Sequence, residues 1–117
     1  MQLLIADDHD LVRETLAAFL MTEGFDCVEI VATLPEALAA MRDRVFDLVL
    51  LDYAMPGMHG LEGLSQALSI SGGRPVALIS GTTSRELAET ALSYGAAGFV
   101  PKTLGSGAIA AAIRYMI

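Results

Sequence analysis

The 117 residues make one domain, long enough to bury roughly two thirds of the surface its unfolded chain exposes, and 54% of them are apolar, which calls for a core covered on both faces of a sheet. Fourteen acids against seven bases leave a net charge of −7, which excludes nonspecific adhesion of this domain to nucleic acid or to a membrane surface and makes a cation the expected small partner. Cys27 is the only cysteine, so an intrachain disulfide and a cysteine-built zinc site are excluded; it reads as a small core residue on a strand and fits a reducing compartment.

Acids at Asp7 and Asp8 come too early for a signal peptide, and no apolar run approaches the ~20 residues of a membrane span, so a cytoplasmic location is expected. Leu3-Leu4-Ile5-Ala6 reads as a first strand that stops in the acidic loop Asp7-Asp8-His9-Asp10. Leu11, Val12, Leu16, Phe19 and Leu20 then recur at helical spacing up to a stop at Gly24, and residues 25–32 read as a second strand around Val28, Ile30 and Val31. Thr33-Leu34-Pro35-Glu36 carries a capping-box pattern for a helix running to about Arg44.

Four apolar residues, Leu48 to Leu51, lie between Asp47 and Asp52, so the third strand is fully buried and delivers Asp52 to its end, just before the Pro56-Gly57 turn. Leu61, Leu64 and Leu68 share a helical face that ends near Ser71-Gly72-Gly73. Pro75-Val76-Ala77-Leu78-Ile79 is a fourth buried strand closing on Ser80-Gly81. Thr83-Ser84-Arg85-Glu86 offers a second capping box, for a helix that stops at Gly95. Ala97-Gly98-Phe99-Val100 is a fifth strand before Pro101-Lys102, and Ile109, Ile113 and Met116 mark a last helix capped by Ser106.

Strands alternating with helices over short connections imply right-handed crossovers: an α/β fold with a doubly wound five-stranded parallel sheet, expected order 2-1-3-4-5. Ligands of such sheets sit beyond the carboxyl ends of the strands. That edge collects Asp7 and Asp8 after the first strand, Asp52 after the third, Ser80 after the fourth and Lys102 after the fifth. Each alone is an ordinary turn or surface residue; their shared edge makes them a site. Carboxylates about 5 Å apart repel by roughly 3 kcal/mol per pair at an effective dielectric near 20, so the cluster must take up protons or a cation.

Oxygen donors favour a hard cation, and Mg²⁺ binds through one or two carboxylates, water and phosphate oxygens. His9 is read as solvent-facing rather than as a ligand. A carboxylate is a competent nucleophile toward phosphorus, so Asp52 is expected to attack in line, Asp7 and Asp8 to hold the metal, Lys102 to neutralise phosphoryl oxygens, and Ser80 and backbone N–H groups to fix them.

These residues, with Met55-Pro56-Gly57 after Asp52, resemble the receiver domain of two-component response regulators over essentially the whole chain. Ala6-Asp7-Asp8-His9 and Ala97-Gly98-Phe99-Val100-Pro101-Lys102 resemble the NarL/LuxR-type subgroup, whose receivers precede a helix-turn-helix DNA-binding domain. The resemblance implies the flavodoxin-like (βα)5 receiver fold, and a histidine kinase or phosphotransfer protein that donates a phosphoryl group to Asp52. It also implies Mg²⁺ held by Asp8, Asp52 and the backbone carbonyl of Ala54, with Asp7 acting mainly through metal-bound water. Ser80 would swing toward the phosphoryl group and Phe99 would turn into the vacated space, changing the partners of the face around the fourth helix, fifth strand and fifth helix. A weak or phosphorylation-dependent homodimer is expected by the same analogy, as are residues 1–117 forming the receiver and an output domain following Ile117.

The chain departs from the family pattern in three places. Thr103 rather than proline follows Lys102, His59 stands at a turn position where an acid is common, and Ala54 offers no polar side chain to orient attacking water. A single-domain phosphorelay receiver and an aspartate-nucleophile phosphohydrolase are the alternatives; the latter needs a second acid just after the nucleophile, where Tyr53 and Ala54 offer none. A receiver-like scaffold that binds partners without phosphorylation is a third.

Overall fold

The computed structural model describes residues 1–81 and 84–117. Ten elements alternate along the chain: β1 (Gln2–Ala6), α1 (Asp10–Thr22), β2 (Cys27–Val31), α2 (Leu34–Asp43), β3 (Leu48–Asp52), α3 (Leu61–Ile70), β4 (Val76–Ser80), α4 (Arg85–Tyr94), β5 (Phe99–Pro101) and α5 (Ser106–Met116). The strands are all parallel and lie in the order β2-β1-β3-β4-β5, as expected from the sequence.

Alternation along each central strand builds two cores, because successive side chains point to opposite faces. Leu4, Ala6, Val49, Leu51, Val76 and Leu78 pack under α2, α3 and α4 with Leu34, Leu38, Leu64, Ala67 and Ala91. Leu3, Ile5, Leu48, Leu50, Ala77 and Ile79 pack on the other face with Leu16 and Leu20 of α1 and Ile109, Ala110 and Ile113 of α5. Apolar residues at both parities are what a strand buried on two faces requires, and they account for the high apolar content.

The helix boundaries follow local chemistry. Thr33 caps α2: its Oγ1 accepts from the Glu36 N–H at 3.3 Å, while Glu36 Oε1 accepts from the Ala32 N–H and the Thr33 hydroxyl. α4 is capped by Ser84, whose Oγ accepts from the Leu87 N–H at 3.1 Å; Thr83, the first residue of the expected box, lies outside the described residues. Gly95 ends α4 at φ 110°, in the left-handed region that favours glycine.

Two local expectations are corrected. Gly105 rather than Ser106 occupies the cap position of α5, in extended backbone with its carbonyl accepting from the Ile109 N–H, so Ser106 becomes the first helical residue. The second strand is shorter than residues 25–32, because Phe25 is buried as a core side chain before the ladder starts at Cys27; Cys27 itself is only half-buried on this edge strand. Leu11 and Val12, which share the helical spacing of the apolar residues of α1, are 78% and 41% exposed: the first turn borders an open groove with Lys102, Leu104 and Ile109.

Candidate functional site

Register alone brings the site together. Ala6 lies beside Leu51, so the next residues, Asp7 and Asp52, end neighbouring strands. Asp52 lies beside Ile79, one residue short of Ser80, and Ser80 lies beside Pro101, one residue short of Lys102. Asp7, Asp52 and Ser80 are the buried polar and charged residues among those described, whereas Asp8 is exposed at the rim.

Lys102 ties the acids. Its Nζ donates to Asp7 Oδ2 and to Asp52 Oδ2, each at 2.9 Å, with the side chain only 13% exposed. It is also the only lysine in the sequence. The backbone supplies further donors: the His9 N–H reaches Asp7 Oδ1 at 2.8 Å, and the Ala54 N–H reaches Asp52 Oδ1 at 3.1 Å. Lys102 is itself anchored through its N–H to the Ser80 carbonyl at 2.7 Å.

These contacts set opposite titration behaviour for two neighbouring acids. Burial works against both carboxylates. For Asp7 the His9 N–H and the Lys102 ammonium outweigh burial and hold its carboxyl below the usual range. For Asp52 burial prevails, with the Asp7 charge adding to it, and its carboxyl is pushed up despite Lys102 and the Ala54 N–H. Lys102 loses solvation too, yet Asp52 and Asp7 raise its pKa and keep it cationic.

The loop that follows Asp52 is pinned rather than free. Met55 and Met58 are buried in it, the Tyr53 N–H donates to the Ile79 carbonyl, and the Pro56 carbonyl accepts from the Leu34 N–H at 3.0 Å. Gly57 adopts φ 91°, and a Cβ there would stand 2.8 Å from Pro35 Cδ, so this position needs glycine twice over. His59 takes φ 49° in the same loop and is exposed, as read from the sequence.

Arg13 escaped the sequence reading, and His9, read as solvent-facing, also turns a ring nitrogen toward the acids. His9 is 60% exposed as a side chain, yet its Nδ1 points inward, 3.1 Å from Asp7 Oδ1, 3.3 Å from Asp8 Oδ1, 3.7 Å from Asp52 Oδ2 and 3.0 Å from Lys102 Nζ. Arg13 reaches back from α1 to donate to the Asp7 carbonyl at 2.9 Å and to Asp10 Oδ1 at 2.8 Å, clasping the loop that carries the acid pair. The spacing Asp10-x-x-Arg13 on a helix start is a signal that finds the second contact.

Asp7, Asp8, His9 and Asp52 each offer a ligand atom, all within 4.8 Å of one another. Beside them a cavity of about 300 Å³ is lined by His9, Val12, Asp52, Tyr53, Ala54, Ser80, Gly81 and Lys102. Thus the structure gathers Asp7, Asp8, Asp52, Ala54, Ser80 and Lys102. Phe99 stands apart on β5, half-buried against the α2–α3–α4 core and bordering a hollow with Ser84, Arg85 and Ala88.

An acid pair, a lone acid and a lysine at the carboxyl edge of a 2-1-3-4-5 parallel sheet define a receiver-type α/β domain. The comparisons agree. Residues 3–114 match the response regulator receiver domain family, and the chain belongs to it. It is 36% identical over 119 residues, 99% of this chain, to a glycerol metabolism activator of Pseudomonas putida, of which it covers 53%. It is 31% identical over 97% of its length to the DNA-binding response regulator MtrA of Mycolicibacterium smegmatis, of which it covers 49%. Among solved structures, the receiver domain of the putative response regulator NarL from Mycobacterium tuberculosis superposes with a TM-score of 0.86 at 31% identity, covering 97% of this chain and 93% of that one. The chain therefore spans about half the length of the curated relatives it matches.

Proposed function

We propose that Asp52 accepts a phosphoryl group from a histidine kinase or phosphotransfer protein, and that the resulting acyl phosphate switches the contacts of this domain. The observation that carries this reading is the buried Asp52 carboxylate, held by Lys102 at 2.9 Å and by the Ala54 N–H at 3.1 Å beside an open cavity. Asp52 forms an O–P bond as the bond from phosphorus to the donor breaks, and the donor leaves with that electron pair. Lys102 follows the incoming negative charge, and Ser80 and backbone N–H groups bind the phosphoryl oxygens.

The acid cluster fits a hard divalent cation: three carboxylates and one ammonium leave two negative charges for it to neutralise. Asp8, Asp52 and the Ala54 carbonyl would hold Mg²⁺, with Asp7 acting through its water. The metal would supply charge neutralisation on the transferring group. Arg13 holds the loop that presents Asp7 and Asp8.

The donor protein would dock over the exposed Leu11, Val12 and Leu104, which line an apolar groove together with Lys102. Ser80 and Phe99 then act as the switch, one turning toward the phosphoryl group and the other into the space it leaves. Leu92 and Tyr94 on α4 and Tyr115 on α5 are exposed and offer the surface for a weak or phosphorylation-dependent homodimer. The names of the relatives support a role in transcription regulation through an output domain, with DNA bound there and not by this acidic domain. Among the described residues no helix is long and apolar enough to cross a membrane, and the single cysteine supports a cytoplasmic setting. The chain would act on itself alone, as phosphoacceptor.

Incubation with Mg²⁺ and a small phosphodonor should add one phosphoryl group in intact-mass analysis, and Asp52→Asn should abolish it. Unchanged mass in the wild type would refute the reading. Steady turnover of phosphate esters would instead revive the aspartate-nucleophile hydrolase.

A further inference from the structure

Val12 belongs to two hollows at once. It lines the acceptor cavity of about 300 Å³ together with Asp52 and Ser80, and it lines the apolar groove of about 280 Å³ whose buried wall is Leu16, Ile79 and Ile109. Among the described residues, Lys102 is the one other member of both linings, and its ammonium is held by Asp7 and Asp52 at 2.9 Å. The valine side chain is therefore the apolar partition between groove and cavity.

That partition is anchored. Val12 lies in the first turn of α1, and the next residue fixes this turn to the acid loop: the Arg13 N–H donates to the His9 carbonyl and Arg13 Nη1 to the Asp7 carbonyl, each at 2.9 Å. Once phosphorylated, Asp52 loses its phosphoryl group when water attacks phosphorus in line with the bond to the Asp52 oxygen. Water coming from the groove meets a β-branched side chain that is stiff at χ1 and offers no hydrogen bond. Ala54, which also lines the cavity, brings no polar side chain to receive that water.

We propose that the Val12 side chain sets how long a phosphoryl group stays on Asp52, by limiting access from the groove to the acceptor cavity. Val12 forms no bond in either step; its bulk slows both the entry of a small phosphodonor and the entry of the water that later removes the group. The inference rests on the phosphoacceptor reading. In the second step the water oxygen bonds to phosphorus as the bond to Asp52 breaks, which restores the carboxylate and releases dihydrogen phosphate.

Intact-mass analysis reads both rates on this chain with Mg²⁺ and acetyl phosphate: gain of the label after the donor is added, and its loss after the donor is removed. Val12→Ala should raise both rate constants about threefold or more, and Val12→Ile should lower both. Val45→Ala, the same change at a valine 62% exposed between α2 and β3, should alter neither. A merely structural defect would slow labelling instead of speeding it, and Val12→Ile keeps the test open if alanine loosens the first turn. One rate moving alone, both falling in Val12→Ala, or neither moving in either variant would overturn the proposal. A wild type that takes no label refutes the phosphoacceptor reading and this inference with it, whereas a labelled wild type with unmoved variants refutes the inference alone.

Discussion

Asp7 and Asp52 end adjacent strands and share one ammonium, yet the fold treats their protons oppositely. The raised carboxyl of Asp52 means that the folded chain binds its proton more tightly than the unfolded chain does, so the ionised group costs stability at neutral pH. Asp52→Asn should therefore melt at a higher temperature than the wild type in metal-free buffer at pH 7, and the gap should narrow as the pH falls toward the folded-state value. Differential scanning calorimetry across that range checks both statements; a variant less stable at pH 7 would contradict them. The depressed carboxyl of Asp7 works the other way: its contribution is present above the unfolded value of about 3.9 and is lost as the pH falls through the lower folded value. The two effects thus occupy different pH windows, that of Asp52 above the ordinary carboxylate range and that of Asp7 below it.

At the level of elements, the loop between β3 and α3 is where backbone geometry and function meet. Gly57→Ala would put a methyl group against Pro35 and force a non-glycine residue to φ 91°, at a cost of about 1–3 kcal/mol. Urea unfolding should show that loss, and labelling of Asp52 should slow because the Ala54 N–H is carried by the same loop. Thr33→Ala removes the reciprocal cap of α2 and should cost about 1 kcal/mol by the same measurement, without changing phosphoryl acceptance, since the side-chain bonds it removes run to Glu36 and not to Asp7, Asp8 or Asp52. Arg13→Met should weaken Mg²⁺ binding in calorimetric titration, because the Asp7 carbonyl and Asp10 lose their common donor.

On the scale of the whole molecule, two buried acids and a third at the rim predict a stability that responds to divalent cations. A ligand that binds only the native state at a hundred times its dissociation constant adds about 2.7 kcal/mol, so Mg²⁺ should raise the melting temperature where an equal ionic strength of NaCl does not. Asp8→Asn should remove most of that increment. Much of this was legible in the sequence, because strands buried on both faces announce themselves as unbroken apolar runs and their last residues then fall on one edge. Asp7, Asp8, Asp52, Ser80 and Lys102 were found that way. Arg13 and the inward contacts of the otherwise solvent-facing His9 were not legible, because they depend on where a helix start folds back over a loop, which no periodicity encodes. Leu11 and Val12 show the converse: helical spacing says which side of α1 is apolar, but not that its first turn borders an open groove and stays exposed. Gly105 taking the cap in place of Ser106 is a one-residue slip of the kind that composition cannot resolve.

Within these 117 residues Lys102 is the only lysine, so an amine-selective reagent meets that side chain and the Met1 amine here. The terminal amine pairs with an exposed Asp26 far from the acid cluster, whereas Lys102 is engaged on three sides. Acylation of Lys102, read by peptide mapping against the terminus as internal standard, becomes a footprint of whatever occupies the pocket, with no probe introduced by mutation.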